Sequence, residues 1–478
     1  MIINKYFTVL IVLLLTFSLK SQSMVSWLTE ELPSDSISHF DINYHATFSP
    51  KVTTNSTLKH GFDLGKNTQL IPVVDLGTQI SSSFPFRVGG GAIFEGQPFT
   101  KFYFRAGISG VYDKGDSLFK SNYNTQISGT NFALQPMARL SYSPNHFFNF
   151  QAGIDKTFIG EGTRSLLLSD YGKSYPFAQI KTHFWHIEYT ILYQLMRENY
   201  IGTNRTKFIS SHHISYNINK WFNVGVFETV IFQPKDTLLK RGFDAEYLNP
   251  MVFFRPQEYA IGSSDNVLMG LSLTFKQKKF LIYSQIVLDD LLISQIKSKT
   301  GWWANKFGGQ IGIKGKLRVK KEVLFSRFEI NAVRPFTYSH LNVLGNYGNK
   351  GEVLAHPMHS NFLEFLGELK WQKSKWFAKT FFSFGMNAFD FDGFSYGNNV
   401  YMSYTLKPYG YGFQIGEGRK NYFGRLNLHA AYNLTEKGNI NAFAELQFRY
   451  DSALENHKFN FLPAIGIRSY LWNDYRNY

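Results

Sequence analysis

The chain of 478 residues contains no cysteine, which excludes disulfides, thiolate metal sites and a cysteine-linked lipid anchor. Beyond Ser23 it also lacks any uninterrupted run of about 18 apolar residues, so no later segment crosses a bilayer as a helix. Proline-rich and glycine–serine tracts are scarce, which points to one large domain without linkers. Runs of five or more basic residues are missing as well, although the formal net charge is +15. The densest clusters, Lys276-Gln277-Lys278-Lys279 and Lys314 to Lys321, sit at or beside strand ends. There they suit a solvated rim, lipid phosphates or acidic polysaccharide, and no nucleic-acid partner is expected.

What the chain does have begins with a secretory signal. Lys5 is followed by an apolar core from Phe7 to Leu19 and by Ser21-Gln22-Ser23, with small residues where a signal peptidase reads. Residues 1–23 are therefore expected to be removed. Residues 24–65 alternate poorly. Met24 to Leu32 reads as a short helix stopped by Pro33, and 24–65 is expected to be a periplasmic or plug-like segment.

From 66 to 478, segment after segment alternates apolar and polar side chains, and aromatics make up 17% of the chain. In 421–434, Tyr422, Gly424, Leu426, Leu428, Ala430, Tyr432 and Leu434 share one face, with Asn421, Arg425, Asn427, His429 and Asn433 on the other. Ile440 to Tyr450 repeats the pattern, as do 186–195, 362–372 and 376–388. Tight turns such as Gln372-Lys373-Ser374-Lys375 and Asn219-Lys220 alternate with long connections near 111–130, 155–175, 233–246, 290–305, 335–360 and 390–410. A closed barrel is the one spanning structure other than a helix that satisfies every backbone group in lipid. The expected fold is thus all-β, a single transmembrane antiparallel barrel of 16–20 strands, with 18 favoured because such barrels have even numbers. Tyr470, Trp472 and Tyr478 give it an aromatic C-terminus of the kind seen on outer-membrane barrels.

Residues that carry chemistry elsewhere are poorly arranged here. His356 and His359 flank Pro357 in a loop, and adjacent His212 and His213 diverge on a strand. Ser339-His340 lacks an orienting third group. Asp289-Asp290 and Asp390 with Asp392 lack calcium-loop spacing, and Gly89-Gly90-Gly91 reads as a closely packed strand. No catalysis, metal or cofactor is expected. The segment 151–180 stands out: Gly160 and Gly162 loosen the backbone, and Leu166-Leu167-Leu168 should fold inward against the barrel wall because such a loop does not suit water.

That segment, Gly160-x-Gly162-x-x-Ser165-Leu166-Leu167-Leu168-Ser169, resembles the capsule-assembly Wzi-like outer-membrane proteins. Leu248-Asn249-Pro250, Ser264-Asp265-Asn266, Gly270-Leu271, Asp289, Gly301-Trp302-Trp303-Ala304-Asn305-Lys306 and Arg334-Pro335-Phe336-Thr337-Tyr338-Ser339-His340 extend the likeness, toward a branch associated with gliding bacteria. Where that family has tryptophan and proline, this chain has Ile159 and Glu161. The resemblance implies an outer-membrane barrel of about 18 strands that attaches or assembles extracellular polysaccharide as a lectin. The expected partners are outer-membrane lipid and acidic polysaccharide. Lys156, Arg164, Lys173 and Arg334 are the expected cations, and Trp302, Trp303 and Tyr338 the expected stacking rings. The alternative is an accessory component of a gliding or secretion apparatus that binds a protein.

Overall fold

The computed structural model describes residues 62–469 apart from 66–67, 81–84, 115–124, 127–130, 146, 201–202, 235–241, 243–244, 250–264, 278, 321, 436–439 and 454–455. The expected signal, nearly all of 24–65 and the aromatic C-terminus fall outside these residues.

Alternation resolves into eighteen long antiparallel strands. The first six are β1 (Thr68–Gln79), β2 (Phe86–Phe99), β3 (Phe102–Lys114), β4 (Phe132–Tyr142), β5 (Phe148–Asp155) and β6 (Tyr175–Phe184). The next six are β7 (Ile187–Tyr200), β8 (Thr203–Asn217), β9 (Phe222–Phe232), β10 (Asn266–Lys276), β11 (Phe280–Asp290) and β12 (Lys306–Val319). The last six are β13 (Glu322–Val333), β14 (Phe362–Lys373), β15 (Trp376–Phe389), β16 (Arg419–Thr435), β17 (Ile440–Ala453) and β18 (Asn456–Ser469). Each strand pairs with the next, and β1 pairs with β18 from Asp75↔Arg468 to Gln79↔Ala464, which closes the sheet. Closure leaves no strand edge unpaired in lipid.

The two faces differ as the sequence pattern requires. On β12 and β13, Ile311, Ile313, Leu324, Phe328 and Ile330 are exposed, while Gln310, Lys314, Arg327, Glu329 and Asn331 are buried inside. An apolar exterior beside a charged interior fits acyl chains outside and a polar lumen within. Among the described residues no helix is long and apolar enough to cross a membrane. β15 departs from strict alternation: Trp376 and Phe384 face out as expected, but Phe377 and Phe381 on the opposite face are also aromatic and are buried.

Connections sort by rim. Thr100-Lys101, Trp185-His186, Ser374-Lys375 and 218–221 are tight turns at one end, where β1 begins and β18 finishes. At the other end lie the long connections 115–131, 156–174, 233–265, 291–305, 334–361 and 390–418. Short turns mark the periplasmic rim and long loops the outer one.

Candidate functional site: a plugged outer mouth and its aromatic platform

The loop 156–174 dips into the barrel, and Leu166, Leu167 and Leu168 are fully buried. They pack with Phe177 and Met196 of β6 and β7, Phe227 of β9, Leu268 of β10 and Val333 of β13. A loop at this depth must find partners for its backbone, and inward side chains of the wall supply them. Gln285 accepts from the Leu166 N–H at 2.9 Å, and Glu329 accepts from the Thr163 N–H at 3.0 Å. Gln310 donates to the Arg164 carbonyl at 3.0 Å. The loop also caps itself, because Ser165 Oγ donates to the Ile159 carbonyl and accepts from the N–H groups of Leu167 and Leu168.

Glycine is required where the loop touches the wall. Gly160 has φ of 145°, and a Cβ on Gly162 would strike the Glu329 carboxylate. Glu161 reaches Lys314 Nζ at 2.7 Å with both groups buried. At this position, where the resemblance carries proline, the chain instead ties its loop to β12 by an ion pair.

Three further loops close over this plug. The Tyr338 hydroxyl donates to the Leu166 carbonyl at 2.8 Å, and Asp289 accepts from the Tyr338 N–H at 2.9 Å. Ser169 and Leu354 are joined through the backbone at 2.7 Å. Gly412 and Phe413 donate to the carbonyls of Thr300 and Gly301, which links 390–418 to 291–305. Arg334 staples all three loops, donating to the carbonyls of Asn305 at 2.9 Å and Phe413 at 3.1 Å. The buried His356 donates from Nε2 to Glu364 at 2.9 Å while its Nδ1 accepts from the Met358 N–H. Burial pushes its imidazole below the ordinary range, against the pull of Glu364.

A connected aromatic array runs through these loops, with Phe336 and Phe413 fully buried inside it. Trp303 lies 4.7 Å from Tyr404 and 5.7 Å from Phe336, with Trp302 at 6.4 Å. Phe336 continues to Phe413, Phe413 to Tyr409, and Tyr409 to Tyr396. Lys407 Nζ stands 4.2 Å above the Trp303 ring, and His340 meets Tyr404 edge-on. Tyr409 and Tyr411 are exposed, while Trp302, Trp303 and Tyr404 are half-buried. Rings of this kind offer flat apolar faces with polar rims, which suits the CH-lined faces of sugars.

The residues singled out from sequence separate into two layers. Trp302, Trp303 and Arg334 come together at the platform. Arg164 and Tyr338 lie beneath it, fully buried; the Arg164 guanidinium sits over Phe381 and the Tyr338 ring stacks on Tyr347. Lys156 is half-buried at the end of β5, and Lys173 donates to the Lys350 carbonyl at the rim. Tyr404, Lys407 and Tyr409 were missed. Their trace in the sequence is the tyrosine-rich run Tyr401 to Phe413, which shows no strand alternation because it is a loop.

The other residue types considered are committed locally. Ser339 Oγ donates to the Phe336 carbonyl at 2.6 Å, and His340 bonds to the backbone of Asn342. His212 and His213 point to opposite sides of β8. Asp289 pairs with Lys306 at 2.9 Å, and Asp390 accepts backbone N–H groups of its own loop. Among the described residues, no group of three or more such side chains is placed to hold a metal ion.

The fold resembles that of Wzi. The likeness has a TM-score of 0.57 at 13% identity and covers 86% of this chain and 85% of that one, an outer membrane protein involved in group 1 capsule assembly in Escherichia coli and described as a carbohydrate-binding β-barrel. OccAB4 of Acinetobacter baumannii aligns with a TM-score of 0.44 at 9% identity over 84% of this chain and 97% of that one. OprD of Pseudomonas aeruginosa gives 0.42 at 10% over 85% and 96%. No family model and no curated protein sequence matches the chain. At such identities the likeness is one of fold. With its closed wall and apolar exterior, the chain is an outer-membrane barrel.

Proposed function

We propose that this barrel binds an acidic surface polysaccharide at its outer mouth and helps to attach or assemble it, without catalysis. The observation that carries the reading is the aromatic platform with Lys407 poised over Trp303. It lies on loops that close the mouth, so it faces the cell surface. Aromatic rings would stack on sugar rings, and Lys407 would meet carboxylates. Of the other cations, Lys173 would add charge at the rim and Lys156 beside β5. Arg164, Arg334 and Tyr338 would act by holding the loops in place. The fold likeness to a carbohydrate-binding barrel supports this reading.

The experiment is a fluorescence titration of the detergent-solubilised protein with polysaccharide from its own cells, comparing wild type with Trp303→Ala and Lys407→Gln. Each substitution should weaken binding about tenfold, or about 1.4 kcal/mol. Unchanged binding in both, with the barrel folded, would reject the platform as the site.

A second reading, an accessory component of a gliding or secretion apparatus, is favoured by Leu341, Phe394 and Leu406. They are exposed on these same loops and would suit the core of a protein interface. A stoichiometric protein partner in detergent extracts of native cells, with no bound polysaccharide, selects this reading over the first.

A further inference from the structure

Strand β6 stops short of the outer rim, and the hairpin 348–353 takes its place beside β7. Phe177↔Gln194 is the outermost pair of β6 with β7. Beyond it, the Lys350 N–H donates to the Arg197 carbonyl at 2.8 Å, and the Gly351 N–H donates to Glu198 at 3.1 Å. The buried Asn349 then knots three segments together. Its Oδ1 accepts from the Arg197 N–H at 3.1 Å, and its Nδ2 donates to the Lys173 carbonyl at 3.2 Å. Lys173 Nζ returns to the Lys350 carbonyl at 2.9 Å.

One buried amide thereby gathers three cations, Arg197, Lys173 and Lys350, from a strand and two loops. Arg197 and Lys350 are exposed, and Lys173 is half-buried. Partial burial and the neighbouring Lys173 and Arg197 push the Lys350 ammonium below the usual lysine range. Two carboxylates stand near. Glu198 points into the barrel, where it meets Lys207 at 3.3 Å and the Tyr401 hydroxyl at 2.8 Å. Glu352 attracts Lys173 and Lys156. Arg197 lies on the opposite face of β7 from Glu198.

That face is the lipid side. Tyr189, Ile191, Tyr193 and Leu195 precede Arg197 along it. Trp185, exposed in the periplasmic turn, is twelve residues away. At about 3.3 Å per residue and a tilt of about 40°, the span is roughly 30 Å along the membrane normal. The hydrocarbon layer is about that thick. Arg197 therefore emerges at the level of the outer-leaflet headgroups, where the charge of a long basic side chain reaches the interface.

We propose that Arg197, Lys173 and Lys350 form a phosphate site on the outer rim that holds the headgroup of an outer-leaflet lipid. The forked guanidinium takes two phosphate oxygens, and the two ammoniums act as point charges beside it. A bound headgroup also relieves the repulsion among the three cations and ties the loops 156–174 and 334–361 to the bilayer. The site lies apart from the aromatic platform and stands whether or not that platform binds a glycan.

The test titrates the full chain, folded in non-ionic detergent at low salt, with phosphatidic acid, with diacylglycerol of the same chains and with inorganic phosphate. Phosphatidic acid should bind about tenfold more tightly than inorganic phosphate, and diacylglycerol should not bind. Arg197→Gln should weaken phosphatidic acid binding about tenfold. Lys320→Gln, the same loss of charge in the periplasmic turn after β12, and Trp303→Ala at the platform should leave it unchanged. Lys350→Gln, expected to weaken it about threefold, serves if Arg197→Gln fails to give a heat-modifiable folded band. The proposal is overturned if diacylglycerol or inorganic phosphate binds as well as phosphatidic acid, or if the folded site variant binds like wild type. It is equally overturned if Lys320→Gln or Trp303→Ala weakens binding as much as the site variant does.

Discussion

At the scale of single residues, the plug is held by buried charges whose value depends on their partners. Glu161 and Lys314 lie 2.7 Å apart away from water. Removing one partner of such a pair costs about 3–5 kcal/mol, whereas replacing both by apolar groups is often neutral. Glu161→Gln should therefore lower the urea midpoint of the barrel in lipid vesicles more than the double variant Glu161→Leu/Lys314→Met does; equal losses would show that the pair is not what matters. His356 makes the loop 334–361 sensitive to acid. Its Nδ1 already accepts a hydrogen bond from the Met358 N–H, so a proton bound there would face another donor and have no acceptor. The folded pKa lies below the usual value of about 6.5, and the unfolded loop binds protons more readily. Its contribution is full above about 6.5 and declines as pH falls through that value toward the lowered folded pKa. Limited proteolysis of the loop should accelerate between about pH 7.5 and pH 5 in wild type but much less in His356→Gln. Equal rates at both pH values in wild type would refute it.

At the scale of elements, strands and loops were legible to different degrees. The period-2 pattern placed the wet and greasy faces of 362–372, 421–434 and 440–450 without reference to neighbours, because a strand turns alternate side chains to opposite sides. β15 shows the limit of that signal, since Phe377 and Phe381 are aromatic yet face inward. They do so because Arg164 of the inward loop and the His429 ring of the neighbouring β16 give them inner partners. Loops have no comparable period. Arg334 illustrates this: its type suggested a ligand contact, whereas its position makes it a staple between three loops. Arg334→Ala should free the ends of 291–305 and 390–418, increasing deuterium uptake in both while uptake in β12 and β13 stays unchanged. Protected loops in the variant would argue against the staple.

At the scale of the whole molecule, the barrel is a closed wall whose outer half is filled from within. Replacing Gly160–Leu168 by a short glycine–serine link removes the leucines and the wall contacts together. The variant should still fold, because strand pairing does not depend on the plug, and it should show larger single-channel conductance in planar bilayers than wild type. Indistinguishable conductance would mean that the leucine loop does not obstruct the lumen.

Composition and periodicity by themselves determined the architecture: no spanning helix, alternation too regular for anything but strands, and therefore a closed antiparallel wall with lipid outside. Those are local consequences of backbone chemistry, written into each segment separately. The inward turn of Leu166–Leu168 could also be read locally, from the cost of leaving three leucines in water. Only the tertiary structure decided which side chains meet. Trp303 comes from one long loop and Tyr404 and Lys407 from another, and Arg425 faces Arg449 through the register of two strands. Such neighbours arise from loop closure and strand pairing over the whole barrel, which no window of sequence contains.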